Sequence, residues 1–371
     1  MDEDLLRKTQ KYEAEKTGFS FISSIFGNII TVIFIFGGFL DVYNSWVTSL
    51  NRSFVLSGLI FFLLLSCASA LLSIPFSLYS TFRIENKYGF NTMTPKLWIS
   101  DFLKSFIIST ILTGILVLAG LWIILSVPDY WWIWVWGFFL VFSLFMMYIS
   151  PYVIEPLFNK FTPVEVTGLE DKIRYLLQKV DLKVSRVFKI DASKRSRHTN
   201  AYFSGIGRVK RIILYDTLLE KMDHDEILSV LAHEAGHWKR KHVLKMIVAV
   251  EIVSLIGIYI SFRILQTDLL TDIFRIQHGT FFAKIVLLGF LGGIVSLPFV
   301  PLGSCISRRF EKEADRFACR LMENGEAMAS ALIKLSKDNL SNLHPHPFYA
   351  AFYYSHPPVI QRIREIKKIT A

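Results

Sequence analysis

His233, Glu234 and His237 form the pattern in this sequence that has the clearest chemical meaning. On an α-helix, two imidazoles four residues apart project from one face and can bind a single metal ion, with the glutamate beside them. A zinc ion held by three protein ligands keeps a fourth position for water and lowers the pKa of that water toward about 7. The pattern therefore predicts a metalloprotease in which Glu234 takes the proton of the attacking water.

A third zinc ligand must come from elsewhere in the chain, and segment 307–315 (SRRFEKEAD) offers two candidates. Glu311 and Glu313 are about 200° apart around a helix, so only one of them can face the metal. Asp315 lies one turn after Glu311 on the same face, where it can accept a hydrogen bond from a ligating histidine. The residues alone leave the choice open, because any single carboxylate here is more typical of a solvated helix surface.

The helix that carries the two histidines is predicted to begin near Asp223 and to run to about His242. Asp223 can accept from the first-turn amides while Glu226 reaches back, which is the capping-box arrangement. Apolar residues at helical spacing favour a packed helix over the alternative of two histidines on a solvated face. Helices are also predicted at 169–180 and from the end of the last membrane span to Asn324-Gly325, and β-prone segments at 185–190, 200–205 and 212–215 predict a small sheet.

Apolar residues dominate the composition, since 52% of the 371 residues are hydrophobic and only 19% are charged. Runs long enough to cross a bilayer are predicted at 18–40, 54–76, 105–127 and 131–154, and weaker ones at 244–265 and 282–303. Four charge-free runs of this length argue against buried helices of a soluble core. A charged segment precedes the first run, which is not the pattern of a cleaved signal peptide. The sequence therefore predicts six membrane spans.

The net charge of +10 is distributed by side of the membrane, not gathered in one patch, which argues against a nucleic-acid partner. Basic residues are frequent before the first span, between the second and third spans, in 155–243 and after 303. The positive-inside rule therefore predicts that both termini and the protease domain face the cytosol. The membrane is expected to be the cytoplasmic or inner membrane, or the endoplasmic reticulum.

The predicted fold class is mainly α, a polytopic α-helical membrane protein with a cytosolic α+β zinc-metalloprotease domain that contains a small β-sheet. An N-terminal membrane domain with four spans is expected at 1–154. The metalloprotease domain is expected at 155–371, interrupted by a transmembrane hairpin at about 244–303. The cysteines at 67, 305 and 319 are scattered and odd in number, so no disulfide framework is expected.

Five motifs in order give the chain a clear resemblance to the type I CAAX prenyl endopeptidases, integral-membrane zinc proteases with a glutamate as third ligand. The motifs are PLFNKF at 156–161, SKRSRHTNAYFSG at 193–205, HEAGH at 233–237, SRRFEKEAD at 307–315 and SHPP at 355–358 leading to Arg362. The resemblance extends over most of the chain. It implies a large chamber enclosed by membrane helices and removal of the C-terminal tripeptide from farnesylated substrates.

The resemblance also implies roles for individual residues. It chooses Glu311 over Glu313, so that His233, His237 and Glu311 bind one zinc ion per chain. Glu234 is then the base, and Asp315 supports a ligand. In addition, Asn200 and Ala201 are expected on an edge strand that pairs with the substrate backbone, and His356 with Arg362 is expected to stabilise the oxyanion.

The sequence departs from the family pattern in two places. Eukaryotic members have seven spans and six are predicted here, so a leading helix is expected to be absent, which agrees with a cytosolic N-terminus. Lys312 and Glu313 replace the usual aromatic residue and glutamine, a change expected to be tolerated on the other face of the helix.

Four further residues carry weaker expectations. Glu251 is costly inside a span unless it is paired or wetted, so we expect it to line the chamber. His198 is as compatible with a substrate contact as with simple exposure. His344 and His346, two residues apart beside prolines, favour an ordinary loop over a metal site.

The function that best fits the sequence is endoproteolysis by metal-activated water in or beside a membrane chamber. The substrate is a peptide or protein, and the family likeness suggests one prenylated at its C-terminus. A membrane quality-control metalloprotease of the heat-shock type and a transporter or pore with a degenerate metal site are the alternatives. The 193–205 and SHPP motifs and the number of spans argue against the first, and the complete set of ligands and base argues against the second.

Overall fold

The computed structural model of this protein describes residues 3–166, 168–204, 209–277, 279–323 and 325–370. Gly205 and Asn324, each at the predicted end of an element, lie outside the described residues. Within the described residues the protein consists of sixteen α-helices, short 3-10 and π turns, and one four-stranded sheet. This confirms the predicted fold class, a polytopic α-helical protein with a small sheet.

Six helical segments of the described chain are long and apolar enough to cross a membrane, as predicted. The helices of the N-terminal part are α1 (Glu3–Phe36), α2 (Phe39–Ser49), α3 (Phe54–Tyr79), α4 (Pro95–Ser126), α5 (Trp131–Ile149) and α6 (Glu155–Phe158). No more than 17% of any span window is buried. The apolar outer faces therefore need a hydrocarbon solvent, and helices satisfy their backbone hydrogen bonds there internally.

The polar part begins with the sheet. Its elements are β1 (Phe161–Pro163), α7 (Leu169–Gln178), β2 (Lys183–Ile190), β3 (Ala201–Ser204), β4 (Val209–Tyr215), α8 (Asp216–Lys221) and α9 (His224–Lys239). The strand order is β1-β2-β4-β3, with β2 and β4 parallel and the other pairs antiparallel. Because β3 is a terminal strand of this order, one of its edges does not pair with β4.

A membrane hairpin follows, and the chain then returns to the polar part. The remaining helices are α10 (His242–Leu265), α11 (Leu269–Phe274), α12 (Phe281–Ser296), α13 (Val300–Met322), α14 (Gly325–Asp338), α15 (Pro347–Tyr353) and α16 (Val359–Thr370). Buried apolar residues of α7, β4, α9, α13, α14 and α16 form one hydrophobic core. This core holds α9 against α13 and α14.

Several element boundaries differ from the predicted ones for local reasons. The first span is one helix that includes the charged segment from Glu3 and ends at Phe36, two residues before Gly38 adopts a left-handed φ of 79°. The histidine-bearing helix ends at Lys239, because Lys241 is left-handed and α10 begins at His242. The helix that carries Glu311 was predicted to begin after the last span. Instead, α12 continues into α13 through a short 3-10 turn at Leu297–Phe299. Strand β1 was not predicted, because three residues carry no readable alternation.

Arg195 fastens the sheet to the membrane helices. Its guanidinium donates to both carboxylate oxygens of Asp101 on α4, at 2.7 and 3.1 Å, and the pair is largely buried. It also donates to Asn159 Oδ1 (3.0 Å) and to the carbonyl of Phe158 (2.6 Å). A planar guanidinium can serve such a fixed set of acceptors, whereas lysine cannot. The loop before β3 is therefore held against the end of two membrane helices.

Glu226 anchors the start of α9 and is only 2% exposed. Its Oε2 accepts from the Asp223 amide (3.0 Å) and from Lys334 Nζ (2.6 Å), and its Oε1 accepts from Ser330 Oγ (2.6 Å). The reciprocal Asp223 cap is also formed, so the predicted capping box is confirmed. One carboxylate thus joins the beginning of α9 to α14.

At Gly236 the backbones of α9 and α13 lie close to each other. A Cβ at this position would lie 3.0 Å from Ala314 Cα, 3.1 Å from Ala314 O and 3.2 Å from Phe317 Cβ. Backbone atoms in a helix cannot rotate out of a close contact, whereas the end of a flexible side chain can. A larger residue must therefore move α13 away from α9.

We expect Glu226→Ala to destabilise the polar part by about 2–4 kcal/mol, because it removes a cap and leaves a lysine and a serine without their acceptor. Thermal unfolding in detergent, followed by tryptophan fluorescence, measures the change. Glu220→Ala, at an exposed position on α8, is the matched control. Equal unfolding midpoints for the two variants would contradict the anchoring role.

We expect Gly236→Ala to lower zinc affinity by about tenfold or more, since a displacement of α13 by a few tenths of an ångström moves Glu311 relative to the histidines. Competition with a chromophoric chelator measures the affinity. Gly257→Ala on α10, where an added Cβ meets nothing within 4 Å, is the control. If both variants bound zinc like the unaltered protein, the close approach would not set the site.

Candidate metal centre

Three side chains from α9 and α13 converge at the contact between these helices. His233 Nε2 lies 3.1 Å from His237 Nε2 and 3.3 Å from Glu311 Oε2, and His237 Nε2 lies 3.1 Å from Glu311 Oε1. His233 is 7% exposed and Glu311 is 4% exposed. Within the described residues, this trio is the group of His, Cys, Asp or Glu side chains placed to hold a metal ion.

The spacing and chemistry of the trio fit zinc. Ligand bonds of about 2.0–2.2 Å in a tetrahedral site place neighbouring ligand atoms about 3.3–3.6 Å apart, close to the separations found here. Glu311 Oε2 is buried without a hydrogen-bond donor in suitable geometry. An uncompensated buried carboxylate oxygen is costly, and a cation between it and the two imidazoles removes that cost. Two nitrogens and one oxygen leave a fourth tetrahedral position for water or substrate.

Asp315 and Arg362 lie on the Nδ1 side of the His233 ring, away from the trio. His233 Nδ1 lies 2.8 Å from Asp315 Oδ1, and Arg362 donates to the same carboxylate from Nε (2.8 Å) and Nη2 (2.6 Å). Burial by itself lowers the pKa of His233, but the carboxylate of Asp315 against Nδ1 and the nearby carboxylate of Glu311 outweigh it and raise this pKa to about 9. The two carboxylates thus favour a positive charge at the His233 imidazole. A bound metal cation can supply this charge, as a proton does.

Glu234 follows His233 on α9. Burial raises the pKa of its carboxyl, an effect that the charges of His233, His237 and Arg362 oppose. A carboxyl with a raised pKa is a better proton acceptor than a solvated one, because the proton it receives is held more firmly.

His356 and Arg362 bring the C-terminal segment to the same centre. His356 Nε2 lies 3.3 Å from Glu311 Oε1, and its Nδ1 lies 2.8 Å from Ser355 Oγ. Two nitrogens of Arg362 bind Asp315, while Nη1 lies 3.8 Å from Glu311 Oε2. Both residues line a cavity of about 700 Å³, together with Asn200.

Asn200 and Ala201 lie at the start of β3. The Asn200 carbonyl accepts from the Tyr215 amide (3.1 Å), and Ala201 pairs with Leu214 on β4. The structure therefore brings Asn200, which immediately precedes β3, to the same cavity as His356 and Arg362.

A second set of cavities lies on the other side of His237. One of about 460 Å³ is bounded by α5, α10 and α13, and one of about 850 Å³ reaches the β3 residues Tyr202, Phe203 and Ser204. The two share a wall formed by Met147, His237, Val243 and Ile247. Glu251 lines the first cavity, where Ser143 and Ser254 lie 3.4 Å from its carboxylate.

The other histidines singled out in the sequence are not part of the centre. His198 lines the cavity beside Asn200, but its Nδ1 lies 2.9 Å from Asn339 Oδ1 and its ring stacks on Phe90 at 4.0 Å. His346 stacks on Phe348 beside the start of α15. His344 lies in the exposed segment before it.

The structure places His242 against His237, a contact that the sequence did not predict. The two Nδ1 atoms are 3.1 Å apart, and His242 Nε2 lies 3.2 Å from Glu313 Oε2. A histidine five residues after the second metal-site histidine was the available signal. The contact could not be predicted from this spacing, because α9 ends at Lys239 and α10 begins at His242 in a new direction.

Comparison with known proteins gives a consistent result. Residues 1–160 match the family model described as CAAX prenyl protease N-terminal, five membrane helices, and residues 163–370 match peptidase family M48. The "CAAX prenyl protease 1 homolog" of Arabidopsis thaliana is 35% identical over 99% of this chain and 88% of its own length. The "CAAX prenyl protease 1" of Saccharomyces cerevisiae is 32% identical over 100% and 87%.

Solved and bacterial relatives extend the comparison. The crystal structure of S. mikatae Ste24p superposes with a TM-score of 0.91 at 32% identity, covering 99% of this chain and 89% of that chain. A Bacillus subtilis relative named "Uncharacterized metalloprotease YhfN" is 29% identical over 98% and 85%. The chain is therefore a multi-pass membrane protease of metallopeptidase family M48 and belongs to the CAAX prenyl protease family.

Proposed function

We propose that this protein is a zinc endopeptidase that cleaves near the C-terminus of prenylated proteins. The convergence of His233, His237 and Glu311, 3.1–3.3 Å apart between two packed helices, is the observation that carries the zinc assignment. The prenylated substrate rests on the relatives, which are named CAAX prenyl proteases. Residues 1–154 form the membrane domain and 155–371 the protease domain, with its active side and both termini in the cytosol.

Different residues of the chain have different roles in the reaction. A bound zinc ion supplies Lewis acidity at the peptide carbonyl and at water. Glu234 takes the proton of the attacking water and returns it to the leaving amine, a role that its raised pKa supports. His356 and Arg362 donate to the carbonyl oxygen as it becomes negative, and this stabilisation is worth most when the donors are held in advance.

Other residues hold the substrate and the ligands. The substrate backbone adds to the edge of β3 that is unpaired within the described sheet, near Asn200 and Ala201, a geometry in which main-chain hydrogen bonds give affinity. Asp315 fixes the His233 ring, and Arg362 fixes Asp315 through two donated bonds. Arg362 thereby connects ligand orientation with oxyanion stabilisation.

We expect Glu234→Gln to lower kcat at least about a hundredfold while bound zinc stays at one ion per chain, because the amide cannot accept the proton. Turnover of a peptide and zinc content by mass spectrometry are measured on the same preparation. Glu220→Gln is the control and should behave like the unaltered protein. If Glu234→Gln kept full turnover, another group would be the base.

The substrate is tested with a farnesylated peptide that ends in a CAAX motif and its unlipidated twin. We expect kcat/KM to be higher for the lipidated peptide by at least about tenfold, which is about 1.4 kcal/mol of differential transition-state binding. The catalytically impaired Glu234→Gln protein controls for contaminating proteases. Equal turnover of the two peptides would remove the prenyl preference and favour a general membrane protease, with the zinc chemistry unaffected.

A further inference from the structure

His242 is a buried polar residue for which the proposed reaction has no direct use. It is 2% exposed, begins α10 and stacks on Phe310 of α13 at 4.2 Å with an interplanar angle of 5°. Both of its ring nitrogens have partners, since Nδ1 lies 3.1 Å from His237 Nδ1 and Nε2 lies 3.2 Å from Glu313 Oε2. A buried imidazole held on both edges and one face has a fixed orientation.

The partners of His237 determine the direction of these hydrogen bonds. His237 Nε2 lies 3.1 Å from both His233 Nε2 and Glu311 Oε1, so Nε2 is its metal-side atom. A neutral imidazole that binds through Nε2 carries its hydrogen on Nδ1. That hydrogen points to His242 Nδ1, which must accept it, and His242 then carries its own hydrogen on Nε2 and donates it to Glu313.

Each metal-side histidine therefore has a carboxylate behind it. His233 reaches Asp315 directly at 2.8 Å, whereas His237 reaches Glu313 through the ring of His242. Glu313 Oε1 also lies 3.5 Å from Arg309 Nε, one turn earlier on α13. The two glutamates that compete in the sequence are thus both engaged, Glu311 on the metal side of α13 and Glu313 behind His237.

We propose that His242 and Glu313 form a positioning relay that fixes the tautomer and ring orientation of His237 as a metal ligand. The proposal rests on the zinc site of the proposed function and assigns these two residues no contact with the substrate. Groups behind a ligating histidine typically change metal affinity by about 10–100-fold when removed. The relay also joins the metal centre to the first turn of a membrane span.

The test measures zinc affinity by chelator competition and the visible absorption spectrum of the cobalt-substituted protein. His242→Phe can keep the stack on Phe310 but accepts no hydrogen bond, so we expect about 10–100-fold weaker zinc binding and an altered cobalt spectrum. His242→Gln can accept from His237 and donate to Glu313 through one amide, and is expected to recover most of the affinity. This difference separates hydrogen bonding from packing.

Glu313, whose side chain is 31% exposed, gives a second test that does not disturb the core. We expect Glu313→Ala to weaken zinc binding about tenfold and Glu313→Gln to weaken it less, since the glutamine oxygen still accepts. Glu323→Gln, an exposed carboxylate at the end of the same helix, is the matched control and should bind zinc like the unaltered protein.

The outcomes separate the relay from the zinc site itself. Unchanged zinc affinity and cobalt spectra in His242→Phe and Glu313→Ala, with zinc bound normally by the unaltered protein, would overturn the relay and leave the proposed function standing. Failure of the unaltered protein to bind zinc would overturn the proposed function. Weakened affinity in both variants, with recovery in His242→Gln, is the result that the relay predicts.

Discussion

The close approach of α9 and α13 at Gly236 and Ala314 is the constraint on which the rest of the site depends. A Cβ at Gly236 would lie only 3.0–3.2 Å from atoms of Ala314 and Phe317, so the two helices are closely packed here. This contact brings Glu311 beside His233 and His237, buries His233 and Glu311, and leaves His237 partly exposed. Burial of a carboxylate is unfavourable unless it is compensated, so the same contact that forms the trio also creates its demand for a cation.

The polar groups next to the trio contact the two histidines that would bind the cation. Asp315 and Arg362 hold His233 from one side, and His242 with Glu313 holds His237 from the other. Asp315 is held by a bidentate guanidinium, and His242 is held by burial and by an aromatic stack. Orientation is thus provided before any ligand arrives, which is the general requirement for a site that must present a metal and a base in fixed relation.

Local features of the fold were readable from the sequence because their causes are local. The capping box at Asp223 and Glu226 requires only residues three apart, and the membrane spans follow from long apolar runs. The three residues of β1 could not be predicted, because they pair with residues of β2 that are distant in the sequence. Helix ends were missed where a single left-handed residue such as Lys241 redirects the chain. The choice between Glu311 and Glu313 needed the family resemblance, because helical geometry excludes only their joint use, and the part played by His242 depends on a contact across two helices.

X-ray absorption at the zinc edge of the purified protein shows whether α9 and α13 together hold zinc in a four-coordinate site. We expect a shell of nitrogen and oxygen atoms at about 2.0–2.2 Å, with outer-shell scattering from two imidazoles and no sulfur at about 2.3 Å. The imidazole scattering should fall by half in His237→Ala and persist in His344→Ala. A sulfur shell, or a spectrum unchanged by His237→Ala, would contradict the account.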